Sequence, residues 1–265
     1  MKEPKRLTRN VLRGLAAVHR DRWLQSPWSA MLDLWPLAGS SMAEWPEWFH
    51  KSMAVVGESA HDRADYRGLV ISPYRGECRI EGLVLKNTDL SFSEFGGVCF
   101  ERCTFENCLF SSCIFDAASF RCCKFSQCDF TGCLLFEFSG FGNCVVTSTS
   151  FRGTQTGGKH FYIGSDSLWC DCDCTDCVLE RWATAIDAVR FKRCRFSGRW
   201  SEAHFVNRSS LLMQGLRSGL GNFIGSLFEK PAVFDACDFT GLELDAVVFE
   251  PGVILPNCKA APKGF

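Results

Sequence analysis

From Ile80 to Leu135 every fifth residue is a large apolar side chain: Ile80, Leu85, Leu90, Phe95, Phe100, Phe105, Phe110, Phe115, Phe120, Phe125, Phe130 and Leu135, twelve units without a slip. Two residues before them stand mostly small side chains, among them Cys78, Ser93, Val98, Cys103, Cys108, Cys113, Ala118, Cys123, Cys128 and Cys133. Neither a helix, which repeats near 3.6, nor an ordinary strand, which repeats at 2, can keep such positions on one core. A solenoid can. If each unit is one side of a square coil, four units close a turn and residue n lies over n+20, at the inter-strand spacing of roughly 4.8 Å. Large then stacks on large, as in Ile80, Phe100, Phe120, and small mostly on small, as in Cys108 over Cys128.

Units such as CTFEN, CLFSS, CIFDA, ASFRC, CKFSQ and CDFTG resemble the pentapeptide-repeat family, whose unit is written A(D/N)LXX with a central Leu or Phe. The resemblance covers most of residues 76–155 and implies an all-β solenoid, a right-handed quadrilateral β-helix. It also implies function: many members have no assigned activity, and some protect DNA gyrase or topoisomerase IV from inhibitors by imitating DNA. Antibiotic resistance or self-immunity would follow from that activity.

After Leu135 the phase slips by one, to Phe141, Val146 and Phe151, which reads as a bulge. The pattern returns at Leu179, Ile186, Phe191 and Phe196, and again at Phe234, Phe239, Leu244, Phe249 and Ile254. Residues 71–258 are thus the expected repeat, interrupted twice. Residues 152–168, with Gly153, Gly157, Gly158, Lys159, His160 and Gly164, read as an exposed loop. Residues 207–231 carry Leu212, Leu216, Leu220, Phe223 and Leu227 at helical spacing, weakened by four glycines. This insertion and the Lys159-His160 loop are the partner-binding candidates, although a helix packed sideways on the solenoid reads equally well for 207–231.

Residues 1–70 lack the five-residue phase and hold five of the eight tryptophans. Thr8 can cap a helix with Val11, Leu12, Leu15 and Val18 on one side; Ser26-Pro27 and Pro46 open two more. The expectation is an N-terminal helical cap over the first coil, with two alternatives: a protein-interaction region, or a basic Trp-rich element lying on a membrane surface.

Charge sharpens the picture. The net charge is −1, but residues 1–25 hold seven Lys or Arg against Glu3 and Asp21, while residues 71–265 hold 19 basic and 22 acidic side chains. The repeat is only mildly acidic, where a DNA-like rod needs a marked negative field. Outward carboxylates such as Glu94, Glu101, Glu106, Asp116, Asp129 and Glu137 read as solvating groups on a convex surface. The phase of the 17 cysteines makes them buried reduced thiols, as expected of a cytoplasmic protein, the family resemblance implies a bacterial one, and the sequence shows neither a signal-peptide h-region nor a membrane span.

Catalytic chemistry finds little support. The five histidines are scattered, and no Ser-His-Asp, HExxH or nucleotide-binding glycine motif is present. Cys170, Cys172, Cys174 and Cys177 could bind a soft metal, but Cys172 and Cys177 are in phase with the inward small positions, and alternation places Cys170 and Cys174 on the same side. The expectation is a non-enzymatic protein without cofactor or catalytic residue that binds a protein partner, of which a type II topoisomerase is the sharper version. Direct nucleic-acid binding is not expected, and a homodimer stays open.

Overall fold

The computed structural model describes residues 7–24, 63–71, 78–138, 140–158, 166–180, 189–205, 232–249 and 253–261. They form a four-sided parallel β-solenoid with one helix, α1 (Arg9–Leu24). The first face carries Cys78–Glu81, Val98–Glu101, Ser119–Arg121 and Gly140–Gly142, and later His204–Phe205 paired with Val248–Phe249. A seven-stranded parallel sheet from Val84–Lys86 to Val233–Asp235 makes the second face, and an eight-stranded sheet from Val70–Ile71 to Leu242–Asp245 makes the fourth. The third face is held mostly by single bridges, Asp89 to Leu109 to Asp129 to Ser150 to Asp173.

Register follows the sequence repeat. Ile80 pairs with Phe100 and Phe100 with Phe120, whereas Phe120 pairs with Phe141, so the slip adds one residue to the coil without breaking the ladder. The slack is taken up inside, where Phe138 is buried and packs 5.2 Å from Phe141. Rings stack in parallel up each face, with centroids 5.0 Å apart for Phe100 and Phe120 and 4.6 Å for Phe110 and Phe130. Neighbouring faces meet edge to face, as Phe100 meets Phe105 at 81°, so each ring has both favoured aromatic geometries.

The small positions do more than leave room. Cys113 Sγ donates to the Leu90 carbonyl at 3.0 Å, Cys133 Sγ to Phe110 at 2.9 Å and Cys177 Sγ to Phe151 at 3.1 Å. Thr154 and Ser167 place hydroxyls on Phe130 and Phe141 in the same way, at 2.9 and 2.6 Å. Cysteine, serine and threonine therefore share these sites because each is small and each carries a donor for a central carbonyl of the preceding coil.

A corner follows each side, and its residue has positive φ. Asn87, Arg102, Asn107, Ser112, Ala117, Cys122 and Gln127 all lie between 48° and 59°. A non-glycine residue there costs roughly 1–2 kcal/mol, against the smaller entropic cost of glycine. Ala117→Gly, at φ 52°, is accordingly expected to stabilise the protein by up to about 1 kcal/mol, read as a higher urea midpoint at unchanged slope. A lower midpoint would mean that the corner carries no strain.

Three expectations need correction. Residues 153–158 are not loop: Gln155–Gly157 is a fourth-face strand, with Thr154, Gln155 and Thr156 buried, and Leu168–Cys170 resumes the second face. Threonine at an inward position broke the apolar pattern, yet the Thr156 hydroxyl both donates to the Glu180 carbonyl and accepts from the Glu180 amide. The four cysteines do not share a side either. The positive-φ corner at Asp171 breaks strand alternation, so Cys170 is only half-buried while Cys174 takes a central, inward site between Phe151 and Phe196. The space left by that small side chain is filled by Trp169, 4.8 Å from Phe151.

The third correction concerns α1. It starts as expected, with the Thr8 hydroxyl accepting from the Val11 amide at 3.3 Å. Its buried residues are Leu12 and Ala16, whereas Val11 and Leu15 are 45% and 56% exposed. α1 lies along the fourth face and crosses several coils, from Gln155 at Leu7 to Phe92 at His19; residues 25–62, which hold the rest of the expected cap, lie outside the described residues.

Candidate functional site

With the coil interior filled by stacked rings, the outer faces and the breaks in the coil are what the protein offers a ligand. The outward carboxylates are not merely solvating. Along the first two faces Glu101 pairs with Arg79 at 3.1 Å, Glu81 with Arg102, and Glu106 with Lys86 at 2.7 Å. Further along, Asp171 pairs with Arg193 at 2.6 Å, Asp173 with Arg195 at 3.1 Å, Asp176 with Arg152 at 3.2 Å and Asp245 with Arg199 at 2.7 Å. Exposed pairs of this kind add little stability. Their consequence is electrostatic, because each of these carboxylates stands beside a cation, which weakens the negative field where they lie.

The third face repeats a turn. Asp89, Asp129, Asp173 and Asp238 each accept from the amide two residues on, at 2.9, 2.8, 3.2 and 2.9 Å. Hydrogen bonds from Thr240, followed by Lys259, hold the Asp238 carboxyl down at about 2, so it stays ionised at ordinary pH.

The fourth face differs. One outward column runs Glu94, Ile114, Leu134, Gln155, and the next runs Gly96, Asp116, Phe136, Gly157. Leu12 is buried against Ile114 and Leu134, with Leu7 and Phe136 at the margin. Arg13 makes a two-point ion pair with Glu94, which is 7% exposed. Arg9 reaches Asp116 at 2.7 Å and lies 3.7 Å over the Phe136 ring. Burial raises the Asp116 carboxyl and Arg9 pulls it back. Apolar residues at the outward positions of adjacent coils, Ile114 and Leu134, were the signal in the sequence that something covers this face.

The partner-binding candidates Leu212, Leu216, Leu220, Phe223 and Leu227, and also Lys159 and His160, lie outside the described residues. The fold nevertheless says where their segments leave and rejoin the coil. The described strands on either side of residues 206–231 are His204–Phe205 on the first face and Val233–Asp235 on the second, and those on either side of residues 159–165 and 181–188 belong to the fourth face and the second.

Cys170, Cys172, Cys174 and Cys177 are spread over three faces and two depths, and among the described residues no group of three or more His, Cys, Asp or Glu is placed to hold a metal ion. Burial pushes the Cys113 and Cys174 thiols well above the usual range and Cys177 up to about 12. Cys122, at a corner, is the exposed cysteine among those described. Iodoacetamide under native conditions is thus expected to label Cys122 first and to leave Cys103, Cys113 and Cys133 untouched until urea is added, as read by peptide mass spectrometry. Comparable native labelling of Cys113 would show that the coil opens.

Comparison with known proteins bears on the coil. The family model described as pentapeptide repeats matches residues 99–135, in 8 copies. No curated protein matches the chain. Similar solved structures include a trypsin-treated variant of QnrB1, a plasmid-mediated fluoroquinolone resistance protein, at 18% identity and TM-score 0.35, covering 71% of this chain and 90% of that one. Full-length QnrB1 is similar at 18% identity and TM-score 0.29, with 69% and 90% covered. HetL, a pentapeptide repeat protein involved in heterocyst differentiation regulation from the cyanobacterium Nostoc sp. strain PCC 7120, is similar at 11% identity and TM-score 0.21, with 80% and 92% covered. No described helix is long and apolar enough to cross a membrane.

Proposed function

We propose that this chain, whose residues 99–135 match the pentapeptide-repeat family model, is a non-enzymatic binding rod whose outer faces and coil interruptions engage another protein. The observation that carries this reading is the division of labour in the fold. Phenylalanines and in-phase cysteines are consumed by the core, and what is left outside is a set of flat ladders with paired charges, a surface suited to protein contact. We place it in the cytoplasm, where the buried thiols stay reduced.

The narrower reading is protection of DNA gyrase or topoisomerase IV. It draws on the repeat resemblance and on the interruption of the repeat in the sequence at residues 207–231 and around Lys159-His160. DNA mimicry in the strict sense is disfavoured, since the repeat is only mildly acidic and several of its outward carboxylates are paired in place; contact through residues 207–231 and around Lys159-His160 is the version we retain. Crosslinking mass spectrometry of an affinity-captured partner tests the general reading, with crosslinks expected on outer lysines such as Lys86, Lys124 and Lys192. Capture of no protein above background would remove it. A supercoiling assay with a gyrase poison, run with and without residues 207–231, tests the narrower one: a chain that neither inhibits nor protects has no topoisomerase function.

A further inference from the structure

We propose that the fourth face between Glu94 and Gln155 is a receptor surface for a basic amphipathic helix, and that α1 occupies it as an intramolecular ligand. The proposal rests on the reading of the rod as a protein-binding surface and adds the chemistry of the partner.

The face is built for such a ligand. Ile114 and Leu134 are neighbours across the ladder and form an apolar step that Leu12 covers. Acidic groups stand beside that step, Glu94 in its own column and Asp116 in the adjacent one, next to the Phe136 ring. The complement is a helix with an apolar side chain between two arginines four apart, since residues three and four apart share one side of a helix. Arg9, Leu12 and Arg13 of α1 have that spacing and make those contacts.

As an occupant α1 is incomplete. It buries Leu12 and Ala16 and leaves Val11 and Leu15 in water, and among the described residues the buried Arg9 Nε has no acceptor. A helix of 16 residues is marginal by itself in water. Its described seat rests mainly on the two ion pairs and the Leu12 contact, with the Arg9–Phe136 stack, the Leu7–Gln155 hydrogen bond and the His19–Phe92 stack beside them, and a partner helix with the same spacing and a larger apolar side chain would displace it. Displacement would also free the basic, apolar α1.

The test uses the full chain. Arg9→Glu, Leu12→Asp and Arg13→Glu together should release α1, and hydrogen exchange should show lost amide protection over residues 9–24 with the coil amides unchanged. A fluorescein-labelled peptide of residues 7–24 serves as the probe. We expect this released chain to bind the probe at least tenfold more tightly than wild type, whose face is filled, and adding Glu94→Arg and Asp116→Arg to abolish that gain. Equal, weak binding by wild type and the released chain, with α1 unprotected in the latter, overturns the receptor surface without touching the broader binding reading. Amides of residues 9–24 that stay protected in the triple variant overturn the role given to these contacts. A wild-type dimer in light scattering that the triple variant dissolves would make α1 the ligand of a second copy and overturn the intramolecular arrangement.

Discussion

Phe120→Ala is expected to destabilise the protein by about 3–5 kcal/mol, the largest loss among single truncations of the ring stack. Phe120 sits where the regular coils meet the slipped one, stacked between Phe100 at 5.0 Å and Phe141 at 5.2 Å. It also touches Phe105, Phe115, Phe125 and Phe138 at its edges. A ladder of parallel strands cannot close over the missing ring, because each neighbour is held in register by its own backbone bonds, so the cavity persists. Urea unfolding monitored by far-UV circular dichroism measures the effect. Phe249→Ala, in the last first-face strand and only half-buried, is the control and should cost much less. Equal losses would mean that position in the stack does not matter.

Gly198→Ala is the second large effect, expected at about 3 kcal/mol, and its cause is backbone rather than core volume. Gly198 has φ 95° and pairs with Cys177 at the point where the register between the strands of Asp173–Glu180 and Arg195–Ser201 shifts. A Cβ there would stand 2.2 Å from the Cys177 carbonyl oxygen and 2.7 Å from its nitrogen. Neither atom can move without breaking the turn between the third and fourth faces, and the two longest strands of the solenoid bend at this corner. Gly153→Ala, also at positive φ (66°) but with open space around it, isolates the conformational part and should cost only about 1 kcal/mol. Differential scanning calorimetry of both variants separates the two contributions. Similar shifts would remove the steric argument.

The coil could be read from single residues. Phe100, Phe105 and Phe110 announce their inward position by spacing, and Cys103, Cys108 and Cys113 do the same two places earlier. Trp169 and Trp200 were readable by the same rule, with Ser167 and Gly198 two before them, but tryptophan does not look like a repeat centre. Thr156 was hidden for a different reason, since its inward position is satisfied by hydrogen bonds that sequence does not display. Leu244 is in phase but 37% exposed. Period alone cannot say where a stack loses its neighbours.

The candidate site divides in the same way. Its acidic and apolar members, Glu94, Asp116, Ile114 and Leu134, are outward by phase alone. What covers them is not. The period determined the interior by itself because every unit is a short local pattern, and the same choice of large and small side chain recurs until register leaves no alternative. Outward positions have no such repetition to define them. Whether Ile114 meets water or a helix depends on Leu12, about a hundred residues away in the chain, and on ion pairs that form only when distant segments arrive together. Only the tertiary structure decides contacts of that kind, because their free energy exists in the assembled face and in no single stretch of sequence.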